Sequence, residues 1–145
     1  MPLEGEYEPS PWEPIAEQVE QYERTDGVEG GEFMGGPCII LTTRGAKSAK
    51  VRKTPLIRVT DGTSYVVVGS MGGAPTNPQW VHNLRANPLA ELQDGGNLRD
   101  YAVREVSGDE KTTWWSLATG VWPDYDNYQA STDRAIPLFV LDPVG

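Results

Sequence analysis

Six short runs of β-forming residues, separated by turn signals, constrain the fold of this 145-residue chain more than any other feature. The Asp-Gly pairs at residues 61–62 and 94–95 are typical of hairpins. Parallel strands need a crossover helix after nearly every strand, so the short connections favour an antiparallel meander or barrel. The predicted strands are Cys38 to Thr43, Val51 to Thr60, Ser64 to Gly69, Leu89 to Gln93, Leu98 to Val106 and Ile136 to Leu141.

Helical periodicity precedes and interrupts these strands. Apolar residues from Trp12 to Tyr22 recur three and four positions apart, which predicts an amphipathic helix over residues 12–24 with Ser10 and Pro11 at its start. The remaining helices are predicted near residues 77–88, 109–119 and 124–132. The expected fold class is therefore α+β and mainly β.

Charge is distributed unevenly along the chain, whose formal net charge is −9. Ten of the 21 acidic residues lie in residues 1–32, whereas residues 33–60 contain none and carry six of the twelve Lys and Arg. Solubility alone usually interleaves both signs, so this basic segment predicts a site for an anionic ligand. An acidic chain lacks the basic face of a nucleic-acid-binding domain, and we expect no nucleic-acid partner.

The chain offers few residues for other common chemistries. His82 is its single histidine, which excludes catalytic triads and multi-histidine metal sites. Cys38 is its single cysteine and lies in an apolar run, so we predict a buried strand residue and no metal site. Apolar runs stay below the roughly 18 residues of a membrane-spanning helix, and the N-terminus lacks a signal-peptide pattern. We therefore expect one cytoplasmic domain over residues 1–145, with a loose acidic lead over residues 1–11.

The basic segment has the pattern of two strands joined by a turn. Lys47 and Ser48 fall in that turn, where backbone amides, a hydroxyl and an ammonium group together can hold phosphate oxygens. On the following strand, a period of two places Arg52 and Thr54 on one face, together with Leu56. Arg52 and Thr54 are therefore expected to face the same ligand.

A glycine-rich loop and an aromatic cluster complete the candidate site. Residues 66–88 follow the order strand, loop, helix, which offers free amides to an anion. Trp122, Tyr125 and Tyr128 lie among Pro, Asp and Asn residues, a setting that favours partial exposure. A tyrosine hydroxyl in a flat-ring pocket can donate a proton when the chemistry builds negative charge beside it.

Together, these elements resemble the deazaflavin-dependent nitroreductase family of actinobacteria. The resemblance rests on LTTRGAKSAKVRKTPL, VVVGSMGGAPTNPQWVHNLRANP and WPDYDNYQASTDRAIPLFVLDP, within about residues 37–143. It implies a split β-barrel of the flavin-binding kind over that range, and coenzyme F420 as cofactor. That cofactor is an 8-hydroxy-5-deazaflavin with a phosphate and an oligoglutamate tail, which explains an acid-free basic segment.

The resemblance also implies roles for individual residues. Tyr125 matches the tyrosine beside the deazaflavin ring and is the candidate proton donor, while Trp122 and Tyr128 match neighbouring positions of the substrate pocket. The helix from Trp12 covers or borders that pocket in similar proteins. The implied cofactor contacts are Ala46, Lys47 and Ser48; Arg52, Lys53, Thr54, Pro55, Leu56 and Ile57; Val68, Gly69, Ser70 and Met71; and Gln79, Trp80, Val81, His82 and Asn83.

Three positions depart from the family's pattern. Relatives commonly read Gly-Arg-Lys-Ser-Gly in the turn, where this chain has Ala46 and Ala49. One cation is therefore missing, and Ala49 disfavours a left-handed conformation. Met71 stands where some relatives carry lysine.

The implied activity is hydride transfer from reduced deazaflavin to a small, electron-poor hydrophobic acceptor such as a quinone, an enone or lactone, or a nitroaromatic. Two alternatives stay open. A flavin mononucleotide (FMN) oxidoreductase on the same barrel would use the basic hairpin for its phosphate, and a non-catalytic module would bind the cofactor or another anion there. A monomer and a homodimer both fit the sequence, as does a position peripheral to the membrane.

Overall fold

The computed structural model describes residues 5–33 and 36–144, which form seven strands, four α-helices and one 3-10 turn. The strands are β1 (Glu32–Phe33), β2 (Gly36–Arg44), β3 (Val51–Ile57), β4 (Tyr65–Val68), β5 (Leu89–Asp94), β6 (Asn97–Val106) and β7 (Leu138–Pro143). The helices are α1 (Glu13–Thr25), α2 (Gln79–Ala86), α3 (Gly108–Val121) and α4 (Asp124–Ala130), and the 3-10 turn is Met71–Gly73. Each predicted strand and helix is present, and β1 and the 3-10 turn are additional.

The strands pair antiparallel in the order β3-β2-β5-β6-β7-β4, with β1 on the start of β2. The second predicted strand ends at Ile57 rather than Thr60, because the chain beyond it turns toward β4. There, the Val66 amide donates to the Val59 carbonyl at 3.0 Å, and Thr60 forms an isolated bridge with Tyr65. This contact joins the two edge strands at one end, so the sheet curls into the predicted split barrel.

Helices cover both faces of the sheet. Successive strand residues point to opposite sides, and both sides carry apolar residues that the helices bury. On β7, Phe139 and Leu141 belong to the cluster packed with α2, whereas Leu138 and Val140 belong to the cluster packed with α3 and α4. Cys38 is buried as predicted, and three apolar residues of α2 are buried as well. They are Trp80, Val81 and Leu84. No helix within the described ranges combines the length and the apolar character needed to cross a membrane.

The N-terminal helix begins one residue later than predicted, at Glu13. Trp12 was expected on its apolar face but is 64% exposed, because it lies outside the helix as its N-cap residue. Val19 and Tyr22 are buried and hold α1 against β2. Before the helix, two backbone hydrogen bonds join residues 6–8 to β3. The Val51 amide donates to the Glu6 carbonyl at 2.9 Å, and the Glu8 amide donates to the Val51 carbonyl at 3.0 Å. This part of the acidic lead therefore lies beside β3.

Candidate active site

A mainly apolar cavity of about 440 Å³ opens between β3, the loop after β4, the start of α2 and the α4 region. Its volume falls within the range of small-molecule pockets, roughly 300–1,000 Å³. The lining residues are Ile15, Thr54, Pro55, Leu56, Ile57, Val68, Ser70, Met71, Gly72, Pro78, Gln79, Trp80, Trp122, Tyr125 and Tyr128. The basic segment, the glycine-rich loop and the aromatic cluster, which are distant in sequence, thus each contribute residues to the lining of one cavity.

One wall of this cavity is aromatic. Tyr125 and Tyr128 are three residues apart on α4 and project from the same side, with ring centroids 6.1 Å apart in an edge-to-face arrangement. The Trp122 indole nitrogen donates to the Tyr128 hydroxyl at 3.3 Å. Behind them, the Trp115 indole donates to Asp126 at 2.7 Å and ties α3 to α4. The wall is therefore held by hydrogen bonds as well as by packing.

The Tyr125 hydroxyl is protonated and faces the cavity. Burial raises the pKa of its hydroxyl, and the nearby Tyr128 raises it further, so the group stays protonated at neutral pH. Tyr125 makes no side-chain hydrogen bond within the described chain, where every fully enclosed side-chain polar atom has a partner. The Tyr125 hydroxyl must therefore reach open space. Because the ring is only 6% exposed and lines the cavity, the cavity is that space.

A second cavity of about 180 Å³ adjoins the first and is lined in part by basic residues of β3. The two share Ile15, Thr54, Gln79 and Trp80, and the second adds Ser10, Arg52, Lys53 and Asn83. Arg52 and Thr54 thus line the same space, as expected from the strand period. Lys53 lies there as well, although the strand period placed it on the opposite face.

The turn itself is fixed from two sides. The buried Asn83 of α2 accepts from the Ala46 amide at 3.0 Å and donates to the Thr43 hydroxyl at 3.1 Å. Within the turn, the Ser48 hydroxyl oxygen accepts from the Lys50 amide at 3.2 Å. Ala49 adopts φ +61°, the left-handed conformation that an alanine disfavours. The hydrogen bonds that close the turn outweigh the steric cost of the alanine side chain.

Acids from elsewhere in the chain neutralise most of the basic segment. Glu8 pairs with Arg52 at 2.6 Å and with Lys50 at 3.6 Å. Lys53 pairs with Glu23 of α1, and Arg58 pairs with Asp94 at 2.9 Å. Among the described residues, the two cations of this segment without an ion-pair partner are Arg44 and Lys47, both exposed at the turn.

Most of the predicted site residues line the two cavities or the turn, but three do not. Gly69 is buried, and a side chain there would meet Val81 at 2.8 Å. Val81 itself is fully buried in the core, while His82 points away on the exposed side of α2. Prediction from the sequence missed Gly72 and Pro78 as lining residues, although both stand in the strand-loop-helix motif. Ile15 was anticipated only as part of a bordering helix.

The sequence and the fold are similar to those of known proteins. The sequence profile of a family described as F420H(2)-dependent quinone reductase matches residues 15–143. The F420H(2)-dependent quinone reductase Rv1261c of Mycobacterium tuberculosis is 36% identical over 124 residues, which cover 83% of each chain. The solved structure of the F420-H2 dependent reductase FDR-A is 44% identical with a TM-score of 0.70, covering 73% of this chain and 94% of that one. A structure described as a domain-swapped dimer is 40% identical with a TM-score of 0.72, covering 92% of this chain and all of that one. The chain therefore belongs to the F420H(2)-dependent quinone reductase family.

Proposed function

We propose that this protein reduces a quinone in the 440 Å³ cavity at the expense of reduced coenzyme F420, with Tyr125 as proton donor. The observation that carries the proposal is the meeting of a protonated tyrosine hydroxyl, an apolar cavity and the cations Arg52 and Lys53 in two adjoining cavities. Family membership supplies the reaction class and the cofactor.

The residues present fit both parts of the cofactor, the ring system and the anionic tail, in polarity. The apolar lining of the larger cavity suits a flat ring system, which gains little from charged neighbours. Asn83 of the second cavity is bonded to the turn, where Arg44 and Lys47, which have no ion-pair partner among the described residues, and the hydroxyl of Ser48 suit a phosphate and carboxylates. Arg52 also lines the second cavity, but its present partner is Glu8, so an anionic tail that uses Arg52 replaces that carboxylate.

The reduced deazaflavin supplies the hydride when bound. Hydride addition to a quinone leaves negative charge on the quinone oxygen, and a neutral hydroxyl beside that oxygen stabilises the charge by donating a hydrogen bond. The Tyr125 proton then passes to that oxygen, and the resulting tyrosinate takes up a proton from water when the hydroquinone leaves. The apolar walls around Tyr125 exclude water, which strengthens the hydrogen bond at the reacting atom.

The Tyr125→Phe variant tests this assignment, with Tyr101→Phe as matched control because Tyr101 is equally buried but lies in the other core cluster. We expect Tyr125→Phe to keep its affinity for F420 and to lose about 10²- to 10⁴-fold in turnover of a quinone panel, the usual contribution of a general acid. Turnover is followed by the return of the oxidised deazaflavin absorbance. Equal turnover in the two variants would remove Tyr125 from the mechanism.

Two further properties belong to the same proposal. A protein that purifies yellow with bound FMN and fails to oxidise reduced F420 would favour the flavin alternative over the deazaflavin.

For the assembly we propose a homodimer in the cytoplasm, supported by the relative described as a domain-swapped dimer. Light scattering measures the molar mass in solution and so distinguishes a dimer from a monomer.

A further inference from the structure

One arginine outside the cavity lining holds the glycine-rich loop by four hydrogen bonds. The Arg134 guanidinium donates to the carbonyls of Gly69 at 3.1 Å, Ser70 at 2.8 Å and Ala74 at 2.8 Å, and to the Asn77 side-chain oxygen at 2.7 Å. All three of its nitrogens take part. Every acceptor is neutral, and Arg134 has no carboxylate partner among the described residues. Its role therefore differs from that of Arg85 or Arg104, which pair with acids.

The loop that Arg134 holds does not take up its conformation by local preference. Met71, Gly72 and Gly73 have φ values of +47°, +66° and +85°, and the first of them carries a side chain. A non-glycine residue in this region is strained and persists when its surroundings fix it. The loop's own support consists of two short-range bonds, from Gly73 to Ser70 at 2.9 Å and from Ala74 to Met71 at 3.2 Å.

Arg134 also connects this loop to the aromatic wall. Its carbonyl accepts from the Gln129 side chain of α4 at 2.8 Å, and Gln129 accepts in turn from the Ile136 amide at 2.9 Å. The loop packs directly on α4, since a side chain at Gly73 would meet the Tyr128 carbonyl oxygen at 2.9 Å. Arg134 therefore joins two adjoining walls of the cavity, one with Ser70 and Met71 and the other with the tyrosines.

We infer that Arg134 is a positioning residue that fixes the loop wall of the cavity relative to the aromatic wall, and thereby the fit of the flat acceptor against Tyr125. This inference rests on the function proposed above. Arginine suits the task because its planar fork presents five donors in fixed directions, whereas the lysine ammonium has three and cannot span the same four acceptors. A displacement of about 1 Å in an active site can cost about 10²-fold in rate.

The test compares Arg134→Lys with Arg104→Lys, which changes an exposed arginine on β6 and leaves the cavity untouched. Both are assayed with reduced F420 and a quinone, well below their unfolding temperatures. We expect Arg134→Lys to raise the KM for the quinone about tenfold with a smaller fall in kcat, and Arg104→Lys to match the wild type. Hydrogen exchange of residues 69–77 is expected to accelerate only in Arg134→Lys.

The outcomes separate the positioning role from the proposed function. Wild-type kinetics in a folded Arg134→Lys protein, with only a lower melting temperature, would overturn the positioning role alone. A wild-type protein that does not oxidise reduced F420 would overturn both. If Arg134→Lys fails to fold, Asn77→Ala removes one of the four acceptors and is expected to raise the quinone KM about two- to fivefold; an unchanged KM would again overturn the positioning role.

Discussion

The Glu8→Gln substitution tests whether the acidic lead competes with the cofactor's anionic tail for Arg52. The two side chains lie 2.6 Å apart but are 43% and 34% exposed, so water and salt screen the pair. Exposed ion pairs contribute about 0.2–1 kcal/mol. Because tenfold in affinity corresponds to about 1.4 kcal/mol, releasing Arg52 is expected to tighten F420 binding about 1.5- to 5-fold.

The assay is a fluorescence titration at low ionic strength with two ligands: F420 itself, and its chromophore without phosphate and glutamates. Only the first is expected to bind more tightly to Glu8→Gln, because only the first carries the tail. Glu20→Gln is the control, since it makes the same change in net charge at an exposed position of α1. Added salt is expected to shrink the difference between Glu8→Gln and the wild type.

Three results would refute the reasoning. Weaker F420 binding by Glu8→Gln would mean that Glu8 orients Arg52 for the ligand rather than occupying it. Equal tightening for both ligands would place the effect at the ring and not at the tail. An equal gain in F420 affinity in Glu20→Gln would mean that the effect comes from the change in net charge and not from the Glu8–Arg52 pair.

Three further predictions follow from single residues. Ala49→Gly removes a left-handed alanine and is expected to raise the free energy of unfolding by about 1 kcal/mol in denaturant titrations; an unchanged or lower value would contradict the strain. Burial raises the pKa of Tyr125 above the ordinary value of 10, so its hydroxyl keeps its proton up to pH 10 and loses it only at higher pH. If kcat falls at alkaline pH below 10, another group causes that fall, and Tyr125→Phe is expected to show the same fall in its pH profile. Burial also raises the pKa of Cys38 to about 11, so a thiol reagent at pH 8 is expected to label it only after denaturation; rapid labelling of the native protein would disprove this.

The sequence alone determined the features that depend on neighbouring residues. Asp-Gly pairs and the alternation of apolar and polar residues predicted the strands. The two-residue connection between Asp94 and Asn97 forms the predicted hairpin. The spacing of Tyr125 and Tyr128 already places both on one side of a short helix. These properties are local, since backbone preference and side-chain periodicity operate over a few positions.

Only the tertiary structure decided how distant parts of the chain meet. Counted along the sequence, residues 33–60 are free of acids, yet Glu8 and Glu23 lie against the cations of this segment from 30 to 44 positions away. Arg134 holds a loop some 57 to 65 positions before it, and no local pattern marks that contact. Ala49 takes a conformation that its own side chain disfavours, because the turn and α2 fix its neighbours. Charge pairing, hydrogen bonding and strain depend on distance in space, which the folded sheet sets and the sequence order does not.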